Sequence, residues 1–68
     1  QKIATFLIQT EKKDVSNTGM TRQQMADFMA TTRPSLSREL LSMEDSGLIE
    51  LNGSEIKIKN REELENLL

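Results

Sequence analysis

The feature that most constrains this chain is the stretch from Thr21 to Leu41, which reads TRQQMADFMATTRPSLSRELL. It contains two short amphipathic helical patterns, separated by only a few residues that favour a turn. The first pattern opens with Thr21 three residues before Gln24, the spacing of a capping box, in which each side chain accepts a hydrogen bond from the other residue's backbone N–H. The stretch therefore predicts two helices joined by a tight turn.

Apolar residues recur at helical spacing in both helices. The second helix is predicted over 33–46, after a turn at 30–32. Thr32 can cap its start, and Gly47 can end it. Pro34 suits the first turn, where the N–H that proline lacks would have no intrahelical partner. The predicted apolar faces are Met25, Phe28 and Met29 with the small Ala26 in the first helix, and Leu36, Leu40 and Met43 in the second.

The segments on either side carry shorter signals. Residues 1–9 repeat apolar residues every four positions and predict a helix, whereas the polar segment 11–19 predicts a loop. Residues 48–51 and 55–58 favour strands, and the Asn52-Gly53 pair between them predicts a β-hairpin. A short final helix is predicted next, capped by Asn60 with Glu63 as its capping partner, and with Leu64, Leu67 and Leu68 as its apolar face.

The predicted fold is therefore mainly α, of the α+β class. It is a winged helix-turn-helix with a three-helix core, a β-hairpin wing and a short C-terminal helix. All 68 residues, 1–68, are expected to form one domain. Because the chain begins at Gln1 rather than at methionine, we interpret it as a fragment of a longer protein whose N-terminal part is missing.

Composition narrows the classes of function. The chain has no cysteine and no histidine, which removes the commonest metal ligands and general base and fits a cytoplasmic location. No apolar run approaches the roughly 20 residues that cross a bilayer, so no membrane partner is expected. The glutamates of the last helix lack the partners that catalysis would need, so neither an enzymatic activity nor a cofactor in this domain is expected.

Charge and helix placement favour site-specific DNA binding. The net charge of −2, from 9 basic and 11 acidic residues, argues against a non-specific polyanion binder but not against a site-specific one. A helix fits the major groove of double-stranded DNA, and its N-terminal residues reach the base edges first. Arg33 and Arg38 lie there in the second helix, with Ser35 and Ser37 as further hydrogen-bonding residues.

Four residues outside the second helix are candidates for contacts with DNA phosphate groups. Arg22 and Gln23 begin the first helix of the pair, where exposed backbone N–H groups also attract phosphate. Lys57 and Lys59 lie on the solvent face of the second predicted strand. From these positions, the four side chains are candidates for contacts with the DNA backbone.

Two plainer interpretations stay open. The arginines of the second helix could be surface residues paired with Asp27 or Glu39, and the two lysines could be ordinary strand charges. The domain could also be a winged-helix protein-interaction module that uses its leucine-rich acidic C-terminal end or its exposed helix. The net charge of −2 supports this second interpretation.

The segments TRQQMADFMATTRPSLSREL and LSMEDSGLIELNGSEIKI together resemble the C-terminal DNA-binding domain of Crp/Fnr-type bacterial transcription regulators, without gaps from about Thr21 to Ile58. The resemblance implies a longer regulator with an N-terminal β-barrel sensor of the cyclic-nucleotide-binding type, whose effector is unknown. It also implies a homodimer formed through a long helix, palindromic operators, and contacts with RNA polymerase.

The resemblance also implies roles for individual residues. Those that would read bases are Arg33, Pro34, Ser37 and Arg38, and those that would contact phosphates are Arg22, Gln23, Thr32, Ser35, Gly53 and Ser54. The chain departs from the family where Pro34 replaces a frequent base-reading glutamate, Ser54 a lysine, and Ala30 a turn glycine. If Ala30 has a positive φ, its side chain costs about 1 kcal/mol. Specificity is expected to rest mainly on the two arginines and Ser37.

Overall fold

A computed structural model describes residues 2–68 as four helices and a four-stranded antiparallel sheet. In chain order they are α1 (Lys2–Thr10), β1 (Glu11–Lys12), β2 (Val15–Ser16), α2 (Arg22–Phe28), α3 (Arg33–Asp45), β3 (Ile49–Asn52), β4 (Glu55–Ile58) and α4 (Arg61–Glu65). The helices α2 and α3 form the helix-turn-helix and β3 and β4 form the wing, so the predicted fold class is confirmed. Gln1, which the prediction placed in the first helix, lies outside the described residues.

One hydrophobic core joins the helices to the sheet. Its largest fully buried side chains are Leu7, Leu36, Leu40, Ile49, Ile56 and Leu64. The methionines Met25, Met29 and Met43 are also buried there, as their helical spacing predicts. Ala26 is completely buried, and its carbonyl oxygen accepts a hydrogen bond from the Thr31 N–H at 2.9 Å. This backbone hydrogen bond closes the turn against the end of α2. No helix within 2–68 is long and apolar enough to cross a membrane.

Both helices of the helix-turn-helix begin at their predicted caps. The Thr21 hydroxyl accepts a hydrogen bond from the Gln24 N–H at 3.1 Å, and Gln24 Oε1 accepts one from the Thr21 N–H at 2.9 Å. At the start of α3, Thr32 Oγ1 accepts a hydrogen bond from the Ser35 N–H at 3.3 Å. Between the helices, Ala30 has a φ of +54°, the left-handed conformation that glycine adopts more readily.

The segment 11–19, predicted as a loop, instead contains a small hairpin. β1 and β2 pair around Lys13 and Asp14, whose φ angles of 53° and 65° suit a tight two-residue turn. β2 also pairs with β4, so the order of strands in the sheet is β1-β2-β4-β3. The loop prediction was wrong because strands of two residues, one of them made of Glu11 and Lys12, show no apolar alternation.

The wing turn lies one residue later than predicted. Asn52 pairs with Glu55, so the turn residues are Gly53 and Ser54 rather than Asn52 and Gly53. Gly53 has a φ of +59° and Ser54 is not left-handed, which is the pattern of a type II′ turn. The predicted alternation in and after β4 is confirmed, with buried Ile56 and Ile58 and exposed Lys57 and Lys59.

Three apolar residues that were predicted to be buried are exposed. Phe28 is 70% exposed, although the next residue, Met29, is buried, and the Phe28 ring meets Phe6 edge-on with the ring centroids 5.6 Å apart. Leu67 and Leu68 are 38% and 61% exposed because α4 ends at Glu65, before helical spacing could carry them to the core. The predicted cap of α4 is present, since Asn60 Oδ1 accepts a hydrogen bond from the Glu63 N–H at 3.1 Å.

Candidate nucleic-acid interface

The four residues predicted to read bases all lie in the first two turns of α3. Thr32 caps the helix, and Arg33 and Pro34 are its first two residues, so the missing proline N–H leaves no intrahelical hydrogen bond unmade. The buried Leu36 sets the rotation of the helix about its axis. Arg33, Pro34 and Arg38 are exposed and Ser37 is half-buried. The structure therefore brings all four together at the solvent-facing start of α3.

The charge of this surface is not neutralised by nearby acids. The first two turns of α3, residues 33–38, contain two arginines and no carboxylate. Among residues 2–68 no carboxylate lies within ion-pair distance of Arg33 or Arg38, so the alternative pairing with Asp27 or Glu39 does not form. Asp27 instead accepts a hydrogen bond from Gln23 Nε2 at 3.0 Å. Both guanidinium groups are available to an anionic or acceptor-rich ligand.

Thr32 and Ser35, predicted to contact phosphates, bind each other at the start of α3. Thr32 Oγ1 donates to Ser35 Oγ at 3.0 Å while it accepts from the Ser35 N–H. The Thr32 hydroxyl is therefore occupied by capping, whereas the Ser35 hydroxyl keeps its own proton for donation. Both hydroxyls lie beside the first N–H groups of α3, where the helix favours negative charge.

Arg22 joins the start of α2 to the wing tip. Its Nη2 donates to the Gly53 carbonyl oxygen at 3.2 Å, and its Nη1 lies 3.4 Å from Met25 Sδ. A guanidinium has five N–H donors, so further donors remain for a phosphate. The sequence predicted Arg22 and Gly53 as separate phosphate contacts but not their contact with each other, because 31 positions separate them and no local pattern links them.

The remaining predicted wing residues are solvent-facing. Ser54 is exposed at the turn, and Lys57 is exposed in β4 directly opposite Glu50 of β3. A second link holds the wing against α3, since Glu44 Oε2 accepts a hydrogen bond from the Leu51 N–H at 2.9 Å. Glu44 was not predicted, because its position in the last turn of an amphipathic helix gives no signal for such a contact. The two links fix the wing relative to the helices.

A separate charged cluster lies at the start of α4. Arg61 Nη1 donates to Glu11 Oε1 at 2.9 Å and to Asp14 Oδ1 at 3.3 Å, and Arg61 Nε donates to Glu65 Oε2 at 3.0 Å. The hydrogen bond from Arg61, together with one from the Asp14 N–H, lowers the pKa of Glu11, and the same contact raises the pKa of Arg61. The cluster ties α4 to the β1–β2 hairpin and contains none of the predicted DNA contacts.

Comparison with known families agrees with this fold and geometry. The family model of the Crp-like helix-turn-helix domain matches residues 1–67. The chain therefore belongs to the Crp-like helix-turn-helix domain family and is a DNA-binding domain of a transcription regulator rather than an enzyme. A search of curated protein sequences found no significant match.

Several solved structures are similar to the whole domain. FixK2 from Bradyrhizobium japonicum is 27% identical, with a TM-score of 0.86, over 97% of this chain and 36% of its own. DNR from Pseudomonas aeruginosa is 24% identical, with a TM-score of 0.85, over 98% and 32%. The CO-dependent transcription factor CooA from Carboxydothermus hydrogenoformans is 22% identical, with a TM-score of 0.82, over 94% and 34%. The chain thus spans about a third of the length of each of these structures.

Proposed function

We propose that this domain binds one half-site of a palindromic operator, with the start of α3 in the major groove and the wing against the flanking DNA backbone. The observation that carries the proposal is the pair of exposed arginines, Arg33 and Arg38, which no carboxylate among residues 2–68 neutralises. An arginine can donate two parallel hydrogen bonds to O6 and N7 of guanine. Ser37, between them on the helix, is the third hydrogen-bonding reader.

Contacts with phosphates hold α3 in register on the duplex in this proposal. They come from Arg22 and Gln23 of α2, from Thr32 and Ser35 at the start of α3, and from Gly53, Ser54 and Lys57 of the wing. Because Arg22 already binds the wing tip, one phosphate at this point would contact α2 and the wing together. The half-buried position of Arg22 also orients its remaining donors.

We also propose that the domain is part of a longer, homodimeric, cytoplasmic regulator that contacts RNA polymerase. The support is the family itself, and the share of about a third that the chain covers of similar structures, one of which is described as a CO-dependent transcription factor. In this arrangement an N-terminal sensor binds the effector, and the domain described here needs no cofactor of its own.

The test is DNA binding by the dimeric regulator across a salt series. Palindromic duplexes enriched from a random library are titrated and compared with scrambled duplexes of the same composition. We expect tighter binding to the palindrome and an affinity that falls as salt rises, because phosphate contacts release counterions. Dimers should bind far more tightly than this domain alone, because the second half-site then binds intramolecularly. Absence of salt-dependent binding by the dimer would contradict the proposal.

One observation favours a second function, a protein-interaction module. The exposed Phe28 lines an apolar hollow of about 410 Å³ together with Phe6 and Lys2. Exposed apolar surface of this kind is typical of protein contacts. A Phe28→Ala variant should leave operator binding unchanged if DNA is the ligand. Loss of binding to purified RNA polymerase in that variant, with no salt-dependent DNA binding by the wild type, would favour the interaction module.

A further inference from the structure

The outward ridge of α3 has apolar residues on both sides of Arg38. Pro34, Arg38 and Leu41 follow one another at spacings of four and three residues, which places them in one row along the helix surface. Pro34 is exposed and Leu41 is 55% exposed. The Pro34 side chain has no donor or acceptor with which to read a base, and Leu41 is not among the predicted DNA contacts.

Leu41 is not part of the core. The buried face of α3 consists of Leu36, Leu40 and Met43, which are at most 5% exposed. At about 100° per residue, Leu41 lies about 100° from Leu40 and about 60° from Arg38, on the side of the helix that carries the arginine. Its apolar side chain therefore extends from the same surface as the predicted base readers.

The major groove offers one apolar group to such side chains. Base pairs present hydrogen-bond donors and acceptors there, and thymine alone adds a C5-methyl group. Neither Pro34 nor Leu41 has a polar side-chain atom, so an apolar contact is the means by which either could distinguish bases. About 10 Å of helix separates the two residues, so at any inclination of the helix in the groove their backbone positions span at most about three base-pair steps of ~3.4 Å.

We propose that Pro34 and Leu41 each contact a thymine methyl group, one on either side of the base pair bound by Arg38. The proposal rests on the proposed function, because it requires α3 to lie in the major groove as far as its third turn, which carries Leu41. It assigns Pro34 a base-reading role of a different chemistry from the glutamate that relatives frequently have. The preferred half-site then contains thymines within about three base pairs of each other.

The test replaces thymine by deoxyuridine, which removes only the methyl group. The probe is the duplex that the dimeric wild-type regulator enriches most from a random library, with each thymine replaced in turn. We expect two replacements to lower the affinity about fourfold each, the effect of withdrawing one methyl group from an apolar contact. Leu41→Gln should abolish the effect at one of these thymines, and Pro34→Ser should abolish it at the other.

Leu68→Gln is the matched control, because Leu68 is 61% exposed but lies after α4, away from this ridge. It should keep both deoxyuridine effects. If every replacement leaves the wild-type affinity within twofold while Arg38→Ala still removes the sequence preference, methyl contact is refuted and major-groove binding stands. If the dimeric wild-type regulator enriches no sequence at all, both proposals fail together.

Discussion

Arg38 and Arg61 are both exposed arginines, but the structure uses them in opposite ways. Arg61 donates to Glu11, Asp14 and Glu65, whereas no carboxylate among residues 2–68 pairs with Arg38. A net charge of −2 therefore coexists with two exposed arginines at the start of α3, Arg33 and Arg38, that form no ion pair within residues 2–68. The positions of the acidic residues, rather than their number, therefore decide where a polyanion can bind.

The largest effect should come from removing the unpaired arginine. Arg38→Ala should weaken binding to the cognate half-site by about 1–3 kcal/mol and relax the base preference there, because a bidentate contact is lost. Arg61→Ala is the matched control and should leave DNA affinity unchanged. Fluorescence titrations with cognate and mutated duplexes measure both. An equal loss on every sequence would show that Arg38 contacts phosphate rather than a base.

The start of the reading helix can be weakened without touching an arginine. Thr32→Ala should lower the free energy of unfolding by about 1 kcal/mol, because the Ser35 N–H loses its capping acceptor. Urea denaturation followed by circular dichroism measures this loss. Thr32→Ser keeps the hydroxyl and should retain most of the stability. A Thr32→Ala chain as stable as the wild type would mean that solvent caps α3 equally well.

A glycine substitution in the turn between α2 and α3 should stabilise the fold. Ala30→Gly should raise the free energy of unfolding by up to about 1 kcal/mol, because the φ of +54° strains an alanine, and the extra backbone entropy of glycine offsets part of the gain. The same denaturation experiment measures the change. Ala26→Gly is the comparison, because Ala26 lies inside α2, where glycine should destabilise. Destabilisation by both variants would contradict the strain at Ala30.

The smallest effect should come from the paired arginine, and it should depend on pH. The folded chain lowers the pKa of Glu11 through its hydrogen bond from Arg61. A lowered pKa stabilises the fold above the ordinary glutamate pKa, and this stabilisation is lost as the pH falls through the lowered value. Arg61→Gln should therefore be slightly less stable than the wild type at neutral pH, and the difference should shrink as the pH falls through the lowered pKa of Glu11.

Urea midpoints of the two chains, measured from neutral pH downwards, test this prediction. Arg22→Gln is a useful second variant, because it removes an arginine that has no part in the Glu11 contact. Its difference from the wild type should not follow the titration of Glu11. A difference between wild type and Arg61→Gln that grows on acidification would show that the cluster is not held by the ionised carboxylate.

The sequence predicted features that depend on neighbouring residues. Thr21, Thr32 and Asn60 cap their helices as predicted, because a cap needs only the next three residues. The β1–β2 hairpin was missed because its pairing with β4 stabilises a segment that has no strand pattern of its own. Phe28 fits the helical period, yet it is 70% exposed while Met25 and Met29 of the same apolar face are buried.

Features of the candidate site also fall into those that neighbouring residues predict and those that depend on distant parts of the chain. The positions of Arg33, Pro34 and Arg38 at the start of a helix follow from the cap and the period, so the sequence places them correctly relative to one another. The contact between Arg22 and Gly53 depends on how the wing folds back over α2, which no local pattern encodes.

The acceptor that Arg22 uses at the wing tip has a consequence for how such a domain can diversify. A backbone carbonyl is present whatever side chain occupies the position, so the contact with Gly53 does not depend on the identity of Ser54 beside it. Mutation can replace Ser54 by a lysine or another residue and change the contacts with the DNA backbone, while the position of the wing tip stays the same. The position of the wing and its chemistry can therefore evolve separately.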